Sequence, residues 1–160
     1  MQSRVVQRGF TLIELVVTVA IVGVLALGAM PLAELTVQRT KEHNLRLALR
    51  QIRGAIDDYK RASDEGRIAR AADATGYPPT IDVLVAGVPN ARDPGKRPIY
   101  FLRRMPRDPF HEDATLPPAQ TWGLRSYASP PDDPQPGKDV FDVYSQTARK
   151  AIDGTPLSEW

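Results

Sequence analysis

Glu14 is a carboxylate set in an apolar stretch. Residues 10–33 hold no other charge, and Thr11 and Thr18 are their only hydroxyl side chains. A carboxylate at the centre of a membrane helix costs on the order of 3 kcal/mol, and less near an end from which it reaches the interface. Two chemistries fit the position: an end residue that snorkels to water, or one half of an ion pair whose cation comes from a partner. The other reactive side chains form no constellation. Asp57 and Asp58 are adjacent, and adjacent residues on a helix do not face each other. Asp132 and Asp133 lie in a proline-rich loop. Both pairs read as solvated surface. His43 and His111 lack neighbours at metal-ligand spacing. With no cysteine, disulfides and thiolate metal sites are excluded. Neither a G-x-S-x-G motif nor a glycine-rich phosphate loop occurs. No catalytic residue, metal site or cofactor is expected, and the chain does not read as an enzyme.

The elements around Glu14 define its setting. The 19 residues from 15 to 33 carry no charge; as a helix they span about 28 Å at 1.5 Å per residue. That is close to the hydrocarbon thickness of a bilayer. Arg4 and Arg8 precede this segment and favour a cytoplasmic N-terminus. The apolar run is longer than the core of a secretory signal and continues into helix formers without a small-residue cleavage site and break. Helix formers extend to about Asp64. Pro31 falls inside this helix and should bend it, because a proline removes one hydrogen bond and clashes with the preceding turn.

Leu45, Leu49, Ile52, Ile56 and Tyr59 recur at helical spacing and predict one apolar stripe. Arg46, Arg50, Arg53, Asp57, Lys60 and Arg61 fall largely on the other faces. Residues 76–80, Gly-Tyr-Pro-Pro-Thr, stop the helix. A short helix is expected over 81–88, capped by Thr80, and residues 90–98 read as loop. Strands are expected at 99–102, 124–128 and 140–145, forming one small antiparallel sheet that needs the helix as a packing partner. Trp122, Tyr127, Phe141 and Tyr144 are placed in the core between sheet and helix. Arg103, Arg104 and Arg107 read as a solvated edge. The formal net charge of +2, from 21 basic and 19 acidic residues, argues against a nucleic-acid partner.

The stretch Gly9-Phe10-Thr11-Leu12-Ile13-Glu14, between a short basic leader and an apolar helix, resembles the processing site of type IV pilins and type II secretion pseudopilins. Pro31 also stands where members of that family carry a proline. The resemblance implies that a prepilin peptidase cuts between Gly9 and Phe10 and methylates the new Phe10 amine. It implies an assembly role for Glu14, pairing with the Phe10 ammonium of a neighbouring subunit. Two buried charges cost less together than apart. Phe10 and Glu14 are also i,i+4 on one helix, so a pair within the chain stays open. Removal of residues 1–9 takes two arginines and leaves 19 basic and 19 acidic side chains, a neutral subunit without strong self-repulsion in a polymer.

Residues 77–78, 81–88, 100–110 and 140–145, with Trp160, resemble the major (G-type) pseudopilin of type II secretion. Members of that class carry an aspartate-rich calcium loop near the C-terminus. Residues 146–155 here offer one carboxylate, Asp153, beside Arg149 and Lys150, so calcium is not expected there.

The resemblance implies an α+β, pilin-like fold, its long N-terminal helix packed on a small antiparallel sheet. Residues 1–9 would be a cleaved leader and 10–33 a transmembrane helix. Residues 34–160 would form a periplasmic domain: helix to 64, loop and short helix over 65–98, sheet and C-terminal loops over 99–160. The chain would sit in the bacterial inner membrane as a single-pass subunit with its C-terminal domain in the periplasm. It would form a homo-oligomeric filament with other pseudopilins on an inner-membrane secretion platform. A type IV pilus subunit, and a permanently anchored periplasmic binding module, are the alternatives.

Overall fold

The computed structural model describes residues 10–160, and for residues 27–33 the backbone alone. Helix α1 runs from Leu12 to Asp64. Thr11 caps its start, its hydroxyl accepting the Glu14 N–H at 3.3 Å. Thr-Leu-Ile-Glu is thus a threonine cap with an acid three residues on, the arrangement of a capping box. Thr18 donates its hydroxyl to the Glu14 and Leu15 carbonyls, each at 2.9 Å, so that polar group is satisfied inside the helix. The other end is a Schellman motif. Arg67 N–H bonds to Ala62 O at 2.8 Å and Gly66 N–H to Ser63 O at 3.0 Å. Gly66 takes the left-handed position with φ 68°, which glycine adopts without strain.

The chain divides between Gln38 and Arg39 into two compact units. In the first, the apolar side chains from Phe10 to Leu25 are exposed, Phe10 at 80%. A helix apolar all round needs a partner surface or lipid. Among the described residues no helix is long and apolar enough to cross a membrane; the side chains of 27–33, which complete the expected span, lie outside that set. α1 runs on through Pro31; the side chain there lies outside the described residues.

The second unit is built on the predicted stripe. Leu45, Leu49, Ile52, Ile56 and Tyr59 are all buried, joined by Ala48, Ala55 and Ala62. Each large side chain buried there contributes about 1.5–3 kcal/mol. Ile81, Leu84, Phe110, Trp122, Val140, Val143 and Leu157 complete the core from the other elements.

The expected single sheet is instead two separate antiparallel ladders. Strands β1 (Val88–Pro89) and β2 (Pro98–Ile99) form one, and β3 (Trp122–Arg125) and β4 (Asp142–Ser145) the other. Residues 100–102 do not continue β2. Phe101 and Leu102 both donate their N–H to Leu84 O, at 3.0 and 2.9 Å, and the Phe101 ring lies 5.3 Å from that of Tyr59. Docking on α1 and on the short helix α2 (Val83–Ala86) replaces ladder pairing. The residue at the N-cap of α2 is Asp82, with no side-chain capping bond, so the Thr80 cap is not formed. In β3–β4, Gly123 faces Tyr144. The tyrosine ring covers the glycine and leaves no room for a Cβ.

Candidate functional site

Three groups define the N-terminal site: Phe10, Thr11 and Glu14. The cap on Thr11 places Glu14 in the first turn of α1. There its negative charge opposes the positive end of the helix dipole, an arrangement worth a few tenths to one kcal/mol at about surface exposure. Phe10 and Glu14 are both exposed, and among the described residues the Glu14 carboxylate makes no ion pair. Phe10 lies before the Thr11 cap, outside α1, so it does not share a helical face with Glu14 as the i,i+4 spacing suggested; the aromatic precedes the helix and the acid sits in its first turn. Gly9, the residue expected before the cut, lies outside the described residues. The capping role of Thr11 was not expected from sequence, although Thr-x-x-Glu before an apolar run signals it.

The second unit holds side chains that fix its shape. Asp108 is 1% exposed. It accepts the Ser145 hydroxyl at 2.5 Å and the Phe110 N–H at 2.8 Å, while its own N–H donates to Thr121 Oγ1 at 3.1 Å. Trp122 Nε1 donates to Pro106 O at 2.9 Å. Together these bonds tie the segment around Pro109 to β3 and β4. Asp142 bridges the sheet to α1: Arg53 Nε meets it at 2.7 Å and Arg125 Nη2 at 3.3 Å. Neither carboxylate was singled out from sequence; an aspartate directly before a proline in a loop was the available signal for Asp108.

The remaining candidates separate. Asp57, Asp58, Asp132 and Asp133 are exposed, and Asp58 pairs with Arg61 at 3.1 Å. His43 is exposed, and among the described residues no group of three histidine, cysteine or carboxylate side chains is placed to hold a metal. Arg103 and Arg104 are solvated as expected. Arg107 is not: it donates to Leu116 O at 2.7 Å and to Asp113 O, and so staples a loop. Trp122 is core, but Tyr127 is 60% exposed. The chain turns at Ser126, whose carbonyl accepts the Ser129 N–H at 3.1 Å. That turn leaves Tyr127 on the rim, its ring 5.6 Å from that of Tyr77 and 5.5 Å from that of Phe141. Phe141 and Tyr144 are half-buried.

The pattern described as the prokaryotic N-terminal methylation motif matches residues 4–30. Over 116 residues the chain is 32% identical to type II secretion system core protein G of Klebsiella pneumoniae, covering 69% of this chain and 74% of that relative. The chain belongs to the pseudopilin family. No solved structure matches it. As a pseudopilin it combines the family's long N-terminal helix with small antiparallel ladders. Its Phe10-to-Glu14 turn falls inside the matched methylation motif, and its buried Asp108 network gives the second unit a fixed polar centre.

Proposed function

We propose that this pseudopilin is a structural subunit of the periplasmic pseudopilus of a type II secretion system. Prepilin peptidase cuts it between Gly9 and Phe10 and methylates the Phe10 amine. Residues 10–33 anchor it in the inner membrane until assembly, with the C-terminal domain in the periplasm. Subunits then leave the membrane and add to a filament through their apolar N-terminal helices, alongside other pseudopilins and on the inner-membrane platform. The work is mechanical, and the chain contributes no catalytic group.

One observation carries this reading. From Phe10 to Leu25 the chain exposes an apolar surface broken by one charge, Glu14. Such a surface is stable only in lipid or among like helices. In either setting an unpaired carboxylate is penalised, and the Phe10 ammonium of a neighbour supplies its counter-charge. Mass spectrometry of the full chain extracted from membranes tests the proposal. The expected mass lacks residues 1–9 and gains one methyl group. An intact N-terminus would favour the permanently anchored module instead.

A further inference from the structure

Family resemblance implies a calcium ion in the C-terminal loop, and the residues present do not fit one. Calcium takes six to eight oxygen ligands, several of them carboxylate. Residues 146–155 supply a single carboxylate, Asp153, together with Arg149 and Lys150. Asp153 Oδ1 already accepts the Thr155 N–H at 3.0 Å and its hydroxyl at 2.6 Å. The hydroxyl bond, then the N–H bond, hold that carboxyl below the usual aspartate range, with a smaller contribution from Arg46.

We infer that this loop is fastened to α1 by two side chains, Glu42 and Arg46, which take the place of a divalent cation. They lie four residues apart and so share one face of the helix. Glu42 is 8% exposed, and its carboxylate accepts the Ile152 N–H at 2.8 Å. The Arg46 guanidinium lies 4.0 Å from the centre of the Trp160 ring, within the range of a cation–π contact. One grip is on the loop's backbone and the other on an aromatic side chain beyond it.

The loop closes on itself between these grips. Ala151 N–H bonds to Thr155 O at 2.8 Å and Gly154 N–H to Ala151 O at 2.9 Å. Gly154 has φ 87°, a conformation that suits glycine. Leu157 N–H reaches Arg149 O at 3.1 Å, and Trp160 Nε1 reaches Thr155 Oγ1 at 3.1 Å. Ala151 and Leu157 enter the core. Arg46, Arg149 and Lys150 bring positive charge to the loop, Arg149 pairing with Glu112 at 3.5 Å, and the loop's own carboxylate is engaged by Thr155, so no acidic cage is offered to a divalent cation. This inference stands independently of the filament reading.

Hydrogen exchange of the full chain in detergent, followed by mass spectrometry, tests it. Protection of residues 149–160 should be the same in a calcium chelator as in millimolar calcium chloride. Glu42→Ala should speed exchange there about tenfold or more, the scale of a lost hydrogen bond to a charged group. Glu42→Gln, which keeps an acceptor oxygen, should recover part of that protection. Arg46→Lys keeps a charge but not the guanidinium seated over Trp160, and should loosen the same residues. Amides of β3 and β4 report whether a variant has unfolded as a whole; if Glu42→Ala does so, the Arg46→Lys result decides. Protection that rises on adding calcium to the wild-type chain would overturn the inference, as would unchanged exchange in the Arg46→Lys chain.

Discussion

Arg53 and Asp142 meet at 2.7 Å, although 89 residues separate them in sequence. The same guanidinium donates to Val143 O at 3.0 Å. One helix side chain therefore holds both a side chain and a carbonyl of β4. Arg53 is more than a third exposed, so solvent screens the charge and the pair alone is worth under about 1 kcal/mol. Arg53→Ala should lower Tm by only a few degrees. Asp142→Ala should cost more, because it leaves Arg53 and Arg125 without their shared acceptor. Thermal unfolding of the two variants measures the order; a larger loss from Arg53→Ala would contradict it.

Asp108 faces a different balance. It is buried, and two donors, the Ser145 hydroxyl and the Phe110 N–H, converge on its carboxylate. Removing the acceptor strands both, and each stranded buried group costs about 1–3 kcal/mol. Asp108→Ala should therefore destabilise the second unit severely. Ser145→Ala, which removes one neutral donor from a carboxylate that keeps the Phe110 bond, should cost roughly 1–2 kcal/mol. Denaturant unfolding of both variants gives the comparison, and equal losses would show that the carboxylate is not the centre of the network.

The long helix was legible because its signal is dense. Five apolar residues at helical spacing all proved buried, and the helix ends at Asp64 as expected. Strands β3 and β4 lie within three residues of the expected 124–128 and 140–145, since each expected segment carries apolar and aromatic side chains beyond a proline-containing loop. What sequence did not reveal was set by tertiary bonds. The Leu84 carbonyl draws the N–H groups of Phe101 and Leu102 away from a ladder, and no local pattern announces that acceptor. Tyr127 looked like core because aromatic residues usually are, but the turn at Ser126 decides its side. Around Phe10 and Glu14 the motif was legible by residue type and spacing, and the Thr11 cap, though signalled by Thr-x-x-Glu, was recognised only from its hydrogen bond to Glu14.

Gly123 and Tyr144 test the sheet. The tyrosine ring occupies the space a Cβ at 123 would need, so Gly123→Ala must push the ring off the strand. Overpacking of this kind costs about 1–3 kcal/mol. Tyr144→Ala removes the obstacle, and the double variant should be destabilised by less than the sum of the two single ones. A double-mutant cycle measured by denaturant unfolding reads this directly. Additive effects would mean that ring and glycine do not meet.

Glu14 is the residue on which the assembly proposal depends. Its backbone N–H is held by Thr11, and that bond does not need the carboxylate. Glu14→Ala should therefore leave α1 and its start intact. Cleavage between Gly9 and Phe10 should also proceed, because the cut precedes any pairing with a new ammonium. Filament assembly should fail, since each Phe10 ammonium would then be buried without a counter-charge, and breaking a buried pair costs about 3–5 kcal/mol. Glu14→Gln separates charge from shape: it keeps the size and a hydrogen-bond acceptor but should still assemble poorly. Mass spectrometry of the extracted chains checks the cut, and filament yield after shearing or overexpression checks assembly. Processed Glu14→Ala chains that form filaments at the wild-type yield would remove ion pairing from the mechanism and leave Glu14 as a first-turn acid that stabilises only its own helix.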